Sequence, residues 1–219
     1  MQIDKAKIAA CVFDFDGVIV DSEPLHELAQ QAAFDFYGIN YEPGIFSKYR
    51  GIRDAVLYQY GLDRAPASGV TLEQLDILKK EKFHELFENV KYIPGSLDFL
   101  RKARSQYGKI GLVTSSARKW VVAEVNKSGI YDLFDFIVTG DDTENHKPDP
   151  EPYLHMLNAL KVRGEETIVI EDSQSGILSA KAAGCIAIGL TTSFSGKELA
   201  SSGADFVSDS FAELAKILF

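Results

Sequence analysis

Four short apolar runs, KIGLVT (109–114), FDFIVTG (134–140), TIVIED (167–172) and CIAIGLTT (185–192), recur between stretches with helical spacing. Continuous apolar runs of this length suit strands of a parallel sheet covered on both faces. The helical candidates between them are ARKWVVAEVNKSG (117–129), PEPYLHMLNALK (150–161) and SGILSAKAAG (175–184), the last stopped by Gly184. With IAACVFDFD (8–16) as first strand, the alternation predicts an open α/β sheet of at least five strands.

One segment breaks the rhythm. Leu25, Leu28, Ala29, Ala32, Ala33, Phe36 and Tyr37 follow i, i+3, i+4, i+7 spacing, with Pro24 suited to a first helical turn and Gly38 to a stop. TLEQLDILKKEKFHELFENV (71–90) predicts a second helix, its KKEK run reading as a solvated face. The expected organisation is a Rossmann-like core from 1–20 and 92–219, with a helical segment, 21–91, inserted after the first strand.

Composition narrows the function. A formal charge of −9 argues against a nucleic-acid or anionic-membrane surface. No apolar run approaches the ~18–20 residues that span a bilayer, and MQIDKAKIAA lacks a signal-peptide pattern. Cys11 and Cys185 sit in strand-like runs and read as buried free thiols, which fits a reducing cytoplasm.

The stretch VFDFDGVIVDSEPLH (12–26) carries the chemistry. Residues two apart on a strand project to one side, so Asp14 and Asp16 face together, with Gly17 allowing a sharp turn or a close ligand. In open α/β sheets, ligands bind beyond the carboxyl ends of the strands. Other strands deliver polar groups to that edge: Thr114, Ser115 and Ser116 after one, Glu171, Asp172 and Ser173 after another, and Lys147 in NHKPDPEP after a third. At ~4 Å and an effective dielectric of about 20, each like-charged carboxylate pair costs about 4 kcal/mol. A divalent cation resolves that conflict, and an all-oxygen set favours Mg²⁺. The hydroxyls and Lys147 would hold a phosphate, Asp14 would attack phosphorus, and Asp16 would shuttle the proton. Taken singly, each motif has an ordinary explanation as a helix cap or surface residue. Their order at successive strand ends does not.

These motifs, DFDGVIVDSEP, VTSS, the lysine of HKPDPEPY, and IEDSQSGI, resemble those of the haloacid dehalogenase superfamily over nearly the whole chain. The similarity is to the branch with an inserted helical cap that includes β-phosphoglucomutase and many sugar phosphatases. The resemblance implies that Asp14 is the nucleophile and Asp16 the general acid/base, with Thr114, Ser115 and Lys147 holding phosphate. It implies Mg²⁺ on Asp14, the backbone carbonyl of Asp16, and Asp172, with Glu171 either a ligand or a partner of one. The presence of Asp16 disfavours a haloacid dehalogenase or a phosphonatase.

The cap would choose between hydrolysis and mutase chemistry. His26 matches a mutase histidine, but related phosphatases share the DSEPLH string. KYRGIRDAV (48–56) resembles the substrate-specificity loop, with Arg50, Gly51 and Arg53 as candidate substrate contacts. Aligned on Gly51, Asp54 stands where a mutase has a phosphate-gripping arginine. Its charge would repel a distal phosphate, so the expectation is a Mg²⁺-dependent phosphatase acting on a small phosphorylated metabolite, as a monomer. A phosphosugar mutase is the alternative. A receiver-like phosphoryl-accepting switch is remote, since the DxD lies on the first strand and an insert follows. His84, His146 and His155 read as surface or packing residues, and Trp120 as core.

Overall fold

The computed structural model describes residues 4–49, 54–66 and 69–219. In chain order, β1 (Ala10–Phe13) and the two-residue β2 (Val20–Asp21) precede four helices, α1 (Glu23–Phe36), α2 (Ile45–Lys48), α3 (Asp54–Arg64) and α4 (Leu72–Phe87). Then come β3 (Lys91–Tyr92), α5 (Ser96–Gln106), β4 (Lys109–Val113), α6 (Arg118–Lys127), β5 (Phe136–Val138), α7 (Glu151–Leu160), β6 (Thr167–Glu171) and α8 (Gln174–Ala182). β7 (Ile186–Leu190), α9 (Gly196–Ser201), β8 (Phe206–Ser208) and α10 (Phe211–Leu218) complete the chain. β2 pairs with β3 as a two-stranded sheet. The chain divides into two compact units, Met1–Asp21 with Tyr92–Phe219, and Ser22–Lys91.

In the first unit a six-stranded sheet runs in the order β5-β4-β1-β6-β7-β8, every neighbouring pair parallel. All four residues of β1 and all five of β6 are buried, as a sheet covered on both faces requires. Fully burying a side chain such as Ile110, Leu112 or Ile170 contributes about 1.5–3 kcal/mol. Cys11 and Cys185 are buried, unpaired thiols within this core.

Register is what places the chemistry. Phe13 aligns with Leu112 of β4 on one side and with Ile170 of β6 on the other. Asp14, one step on, therefore lies level with Val113 and Glu171 at the sheet's carboxyl edge. The chain leaves β1 toward β4 and β5, and later crosses to β6, β7 and β8, so β1 is the point where the winding reverses. Such a reversal opens the crevice in which α/β sheets bind ligands.

The strand β8 is absent from the sequence reading; its three residues sit at the sheet edge among polar neighbours, too short for a periodic signal. Trp120 is a second difference. It is half-buried rather than core, with the Lys119 ammonium 4.2 Å from the centre of its ring.

The second unit is helical. Ala33 and Phe34 of α1, Leu57 and Tyr58 of α3, and Leu75 and Leu78 of α4 form its core with Ile39, Ile45 and Phe46. A Cβ on Gly61 would meet the Phe34 ring at 2.6 Å, so only glycine lets α3 approach α1 this closely. Thr71 begins α4 through a reciprocal capping box with Gln74. The KKEK run is not wholly solvated: Lys79 is buried, because it follows Leu75 and Leu78 on the inward face at i+4 and i+1. Among the described residues no helix is long and apolar enough to cross a membrane.

Candidate active site

Asp14 is the first residue beyond β1, and its backbone N–H donates to the Ile170 carbonyl, 3.0 Å away, before the chain turns at Gly17. Gly17 has φ +70, and an added Cβ would fall 1.7 Å from Asp172 Oδ2, so a side chain there is excluded both by backbone and by space. Glu171 ends β6 with a fully buried carboxylate. Lys147 reaches in from the segment after β5, its side chain only 5 % exposed.

The three donors of that ammonium are all engaged by protein. Lys147 Nζ lies 2.7 Å from Asp14 Oδ1, 2.6 Å from Glu171 Oε1 and 3.0 Å from the Val113 carbonyl. In this structure the lysine is thus a brace for Asp14 and Glu171, and contact with a phosphate would require exchanging one of these bonds. Burial opposes its charge, but Asp14 and Glu171 outweigh that and hold the ammonium above the usual lysine range.

Glu171 is saturated. Oε1 accepts from Lys147 and from the Tyr153 hydroxyl at 2.8 Å, while Oε2 accepts from the backbone of Asp172 and Ser173 and from the Ser173 hydroxyl. Burial and the neighbouring Glu171 push the Tyr153 phenol well up, so it serves as a donor. Gly176 in α8 leaves room for this carboxylate, since a Cβ there would sit 1.9 Å from it.

Asp16 is half-buried and held from another direction. Its Oδ2 accepts from Ser116 Oγ at 2.7 Å and from Thr114 Oγ1 at 3.3 Å, and the Ser116 N–H bonds back to Thr114 Oγ1 at 3.0 Å. Ser115 is exposed between them.

Asp14, Glu171 and Asp172 bring carboxylate oxygens within 4.8 Å of one another, all buried. Burial raises the Asp14 carboxyl above the usual range, with Glu171 and Asp16 adding to it and Lys147 opposing. Among the described residues, three buried carboxylates face a single ammonium here, which leaves the pocket short of positive charge. The donor set is oxygen throughout, so these residues fit a hard divalent cation. Because Glu171 is taken up by five hydrogen-bond donors, Asp14 and Asp172 are the carboxylates that could hold it.

The structure thus gathers Asp14, Asp16, Thr114, Ser116, Lys147, Glu171 and Asp172 at one sheet edge, with Ser115 beside them. His26 belongs to the second unit. There Lys79 Nζ donates to His26 Nδ1 at 3.0 Å and pairs with Asp54 Oδ2 at 2.9 Å, Gln30 donates to Asp54 Oδ1 at 2.8 Å, and the His26 ring stacks on Phe83. This corrects the argument from Asp54: burial opposes its charge, but Lys79 holds it ionised as half of an ion pair, which largely cancels any repulsion of a phosphate. Arg50, Gly51 and Arg53 lie outside the described residues. Of the remaining histidines, His146 is exposed, while His84 and His155 are half-buried.

Sequence reasoning passed over Tyr153, Gly176 and the pair Thr192 and Ser193. Tyr153 was in view, at the end of HKPDPEPY, but only the fold turns it toward Glu171.

The haloacid dehalogenase-like hydrolase family model matches residues 11–190. The chain is 34 % identical over 204 residues to the phosphorylated carbohydrates phosphatase of Thermotoga maritima, covering 89 % of this chain and 91 % of that one. It is 30 % identical over 237 aligned positions to the phosphoglycolate phosphatase of Salmonella typhi, covering 96 % and 92 %. Among solved structures it is similar to the β-phosphoglucomutase of Clostridium difficile, with a TM-score of 0.72 at 29 % identity over 94 % and 93 % of the chains. The chain belongs to the haloacid dehalogenase-like hydrolase family, as an enzyme of the phosphoric monoester hydrolase class.

Proposed function

We propose that this protein is a Mg²⁺-dependent phosphatase that hydrolyses a small phosphate monoester, of the sugar phosphate class, through a phosphoryl group carried on Asp14. The observation that carries the reading is the bracing of Asp14 by Lys147 beside Glu171 and Asp172, next to an Asp16 held by two hydroxyls. Asp14, Asp172 and the Asp16 carbonyl would hold Mg²⁺, which when bound would supply positive charge to offset the carboxylates and the phosphoryl group.

The chain's own residues do the rest. An Asp14 carboxylate oxygen attacks phosphorus, and the ester P–O bond breaks as Asp16, protonated, gives its proton to the departing alkoxide. Asp16 then takes a proton from water as that water attacks the aspartyl-phosphate, which frees inorganic phosphate and restores Asp14. Thr114 and Ser116 aim Asp16, while Thr114, Ser115, Ser116 and Lys147 form the phosphate-binding set. The inserted helical unit, with His26, Arg50, Gly51 and Arg53, is assigned the choice of substrate. Hydrolysis is preferred to mutase chemistry on the strength of relatives that carry phosphatase names.

A phosphate-release screen over sugar phosphates, nucleotides and small phosphorylated acids tests this reading. Turnover of sugar phosphates should vanish with EDTA and return with added Mg²⁺; activity indifferent to EDTA would exclude the metal. Asp16→Asn should slow hydrolysis about 10²–10⁴-fold, the usual contribution of a general acid or base. The loss should be greatest for substrates with poor leaving groups, and an equal loss for aryl and alkyl phosphates would remove the proton-donating role.

A further inference from the structure

The loop that follows β7, Thr191-Thr192-Ser193, delivers two hydroxyls to the same sheet edge from a strand that none of the motifs includes. Ser193 Oγ donates a hydrogen bond to Asp172 Oδ2. The neighbouring Thr192 Oγ1 donates to the Gly17 carbonyl at 2.6 Å, and its own N–H bonds back to the Leu190 carbonyl at 2.9 Å. Gly17 closes the triangle: a Cβ there would meet both Asp172 Oδ2 and, at 2.9 Å, Ser193 Oγ. Segments from the ends of β1, β6 and β7 therefore interlock around one carboxylate.

We infer that Ser193 is a positioning residue that fixes the plane of the Asp172 carboxylate for the cation, and that Thr192 locks the Gly17 peptide against which that carboxylate rests. The inference depends on the reading of Asp14 and Asp172 as cation ligands. Its physical basis is that Asp has two side-chain torsions. A hydroxyl on one oxygen removes the rotation that would otherwise have to be frozen when the cation binds. Partners that orient a metal ligand in this way typically contribute 10–100-fold to metal affinity.

Calorimetric titration of the 219-residue chain with Mg²⁺ alone, without substrate, separates the possibilities. Ser193→Ala should bind Mg²⁺ about 10–100-fold more weakly than the wild type, while Ser193→Thr, which keeps the hydroxyl, should stay within about threefold. Thr192→Val should weaken Mg²⁺ binding in the same direction, by loosening the Gly17 turn. At saturating Mg²⁺ the Ser193→Ala enzyme should recover most of its kcat, a rescue that a misfolded variant would not show. Equal Mg²⁺ affinity in Ser193→Ala and wild type overturns the role of Ser193 and leaves the cation site intact. Wild-type binding that survives unchanged in Asp172→Asn overturns the cation site itself, and the inference with it.

Discussion

Asp14→Asn should remove phosphatase turnover, by about 10⁵–10⁶-fold, the scale lost when a covalent nucleophile is deleted. The substitution keeps the shape of the side chain but takes away the oxygen nucleophile. It also takes away one of the charges that Lys147 Nζ faces at 2.7 Å. Folding should survive, because the pocket already carries an excess of buried negative charge and the amide reduces it. Steady-state hydrolysis of an aryl phosphate measures the loss, and thermal unfolding checks the fold. A variant that retained activity within an order of magnitude would exclude covalent catalysis through Asp14.

Lys147→Met should damage the protein in a different way. Its ammonium is the cation shared by Asp14 and Glu171, both buried, and it also satisfies the Val113 carbonyl. Breaking a buried ion pair by removing one partner costs about 3–5 kcal/mol, because the other charge is left uncompensated. Urea unfolding should register a loss of that size, and phosphate release should fall to background. Lys147→Arg should not rescue either property: a planar guanidinium cannot direct donors to three acceptors clustered around a single nitrogen. Unchanged stability in Lys147→Met would mean that the brace between Asp14 and Glu171 is not what holds this site together.

Asp14, Thr114 and Asp172, all legible in the sequence, share one property: each is the residue directly after a strand. They follow apolar runs whose parallel pairing the composition already implies, so the register of Phe13 with Leu112 and Ile170 brings them within one residue of each other along the sheet edge, whereas Lys147 comes from the longer segment after β5 and meets Asp14 only through the fold. Ser193 has no such signature. It is a serine in a polar loop, and only the hydrogen bond to Asp172 distinguishes it from Ser195, which caps α9. Tyr153 likewise reads as an ordinary aromatic residue of an amphipathic helix until its hydroxyl is seen on Glu171.

Lys79 is a different kind of miss, because its signal was present. It continues the inward stripe of Leu75 and Leu78, yet its charge and its lysine and glutamate neighbours suggested solvent. What permits its burial is Asp54, from another helix, together with His26 Nδ1. A long-range ion pair of this sort follows from tertiary packing and leaves no local pattern. The short β8 was missed for the opposite reason: its edge position needs only three residues and little apolar character.

The most direct test of covalent transfer to Asp14 is rapid acid quench of the enzyme during turnover of a sugar phosphate, followed by peptide mass spectrometry. A phosphoryl group on the peptide that contains Asp14, present with Asp16→Asn and absent with Asp14→Asn, is the expected result. Turnover with no phosphorylated peptide, or with the phosphoryl group on any other residue, would contradict the mechanism.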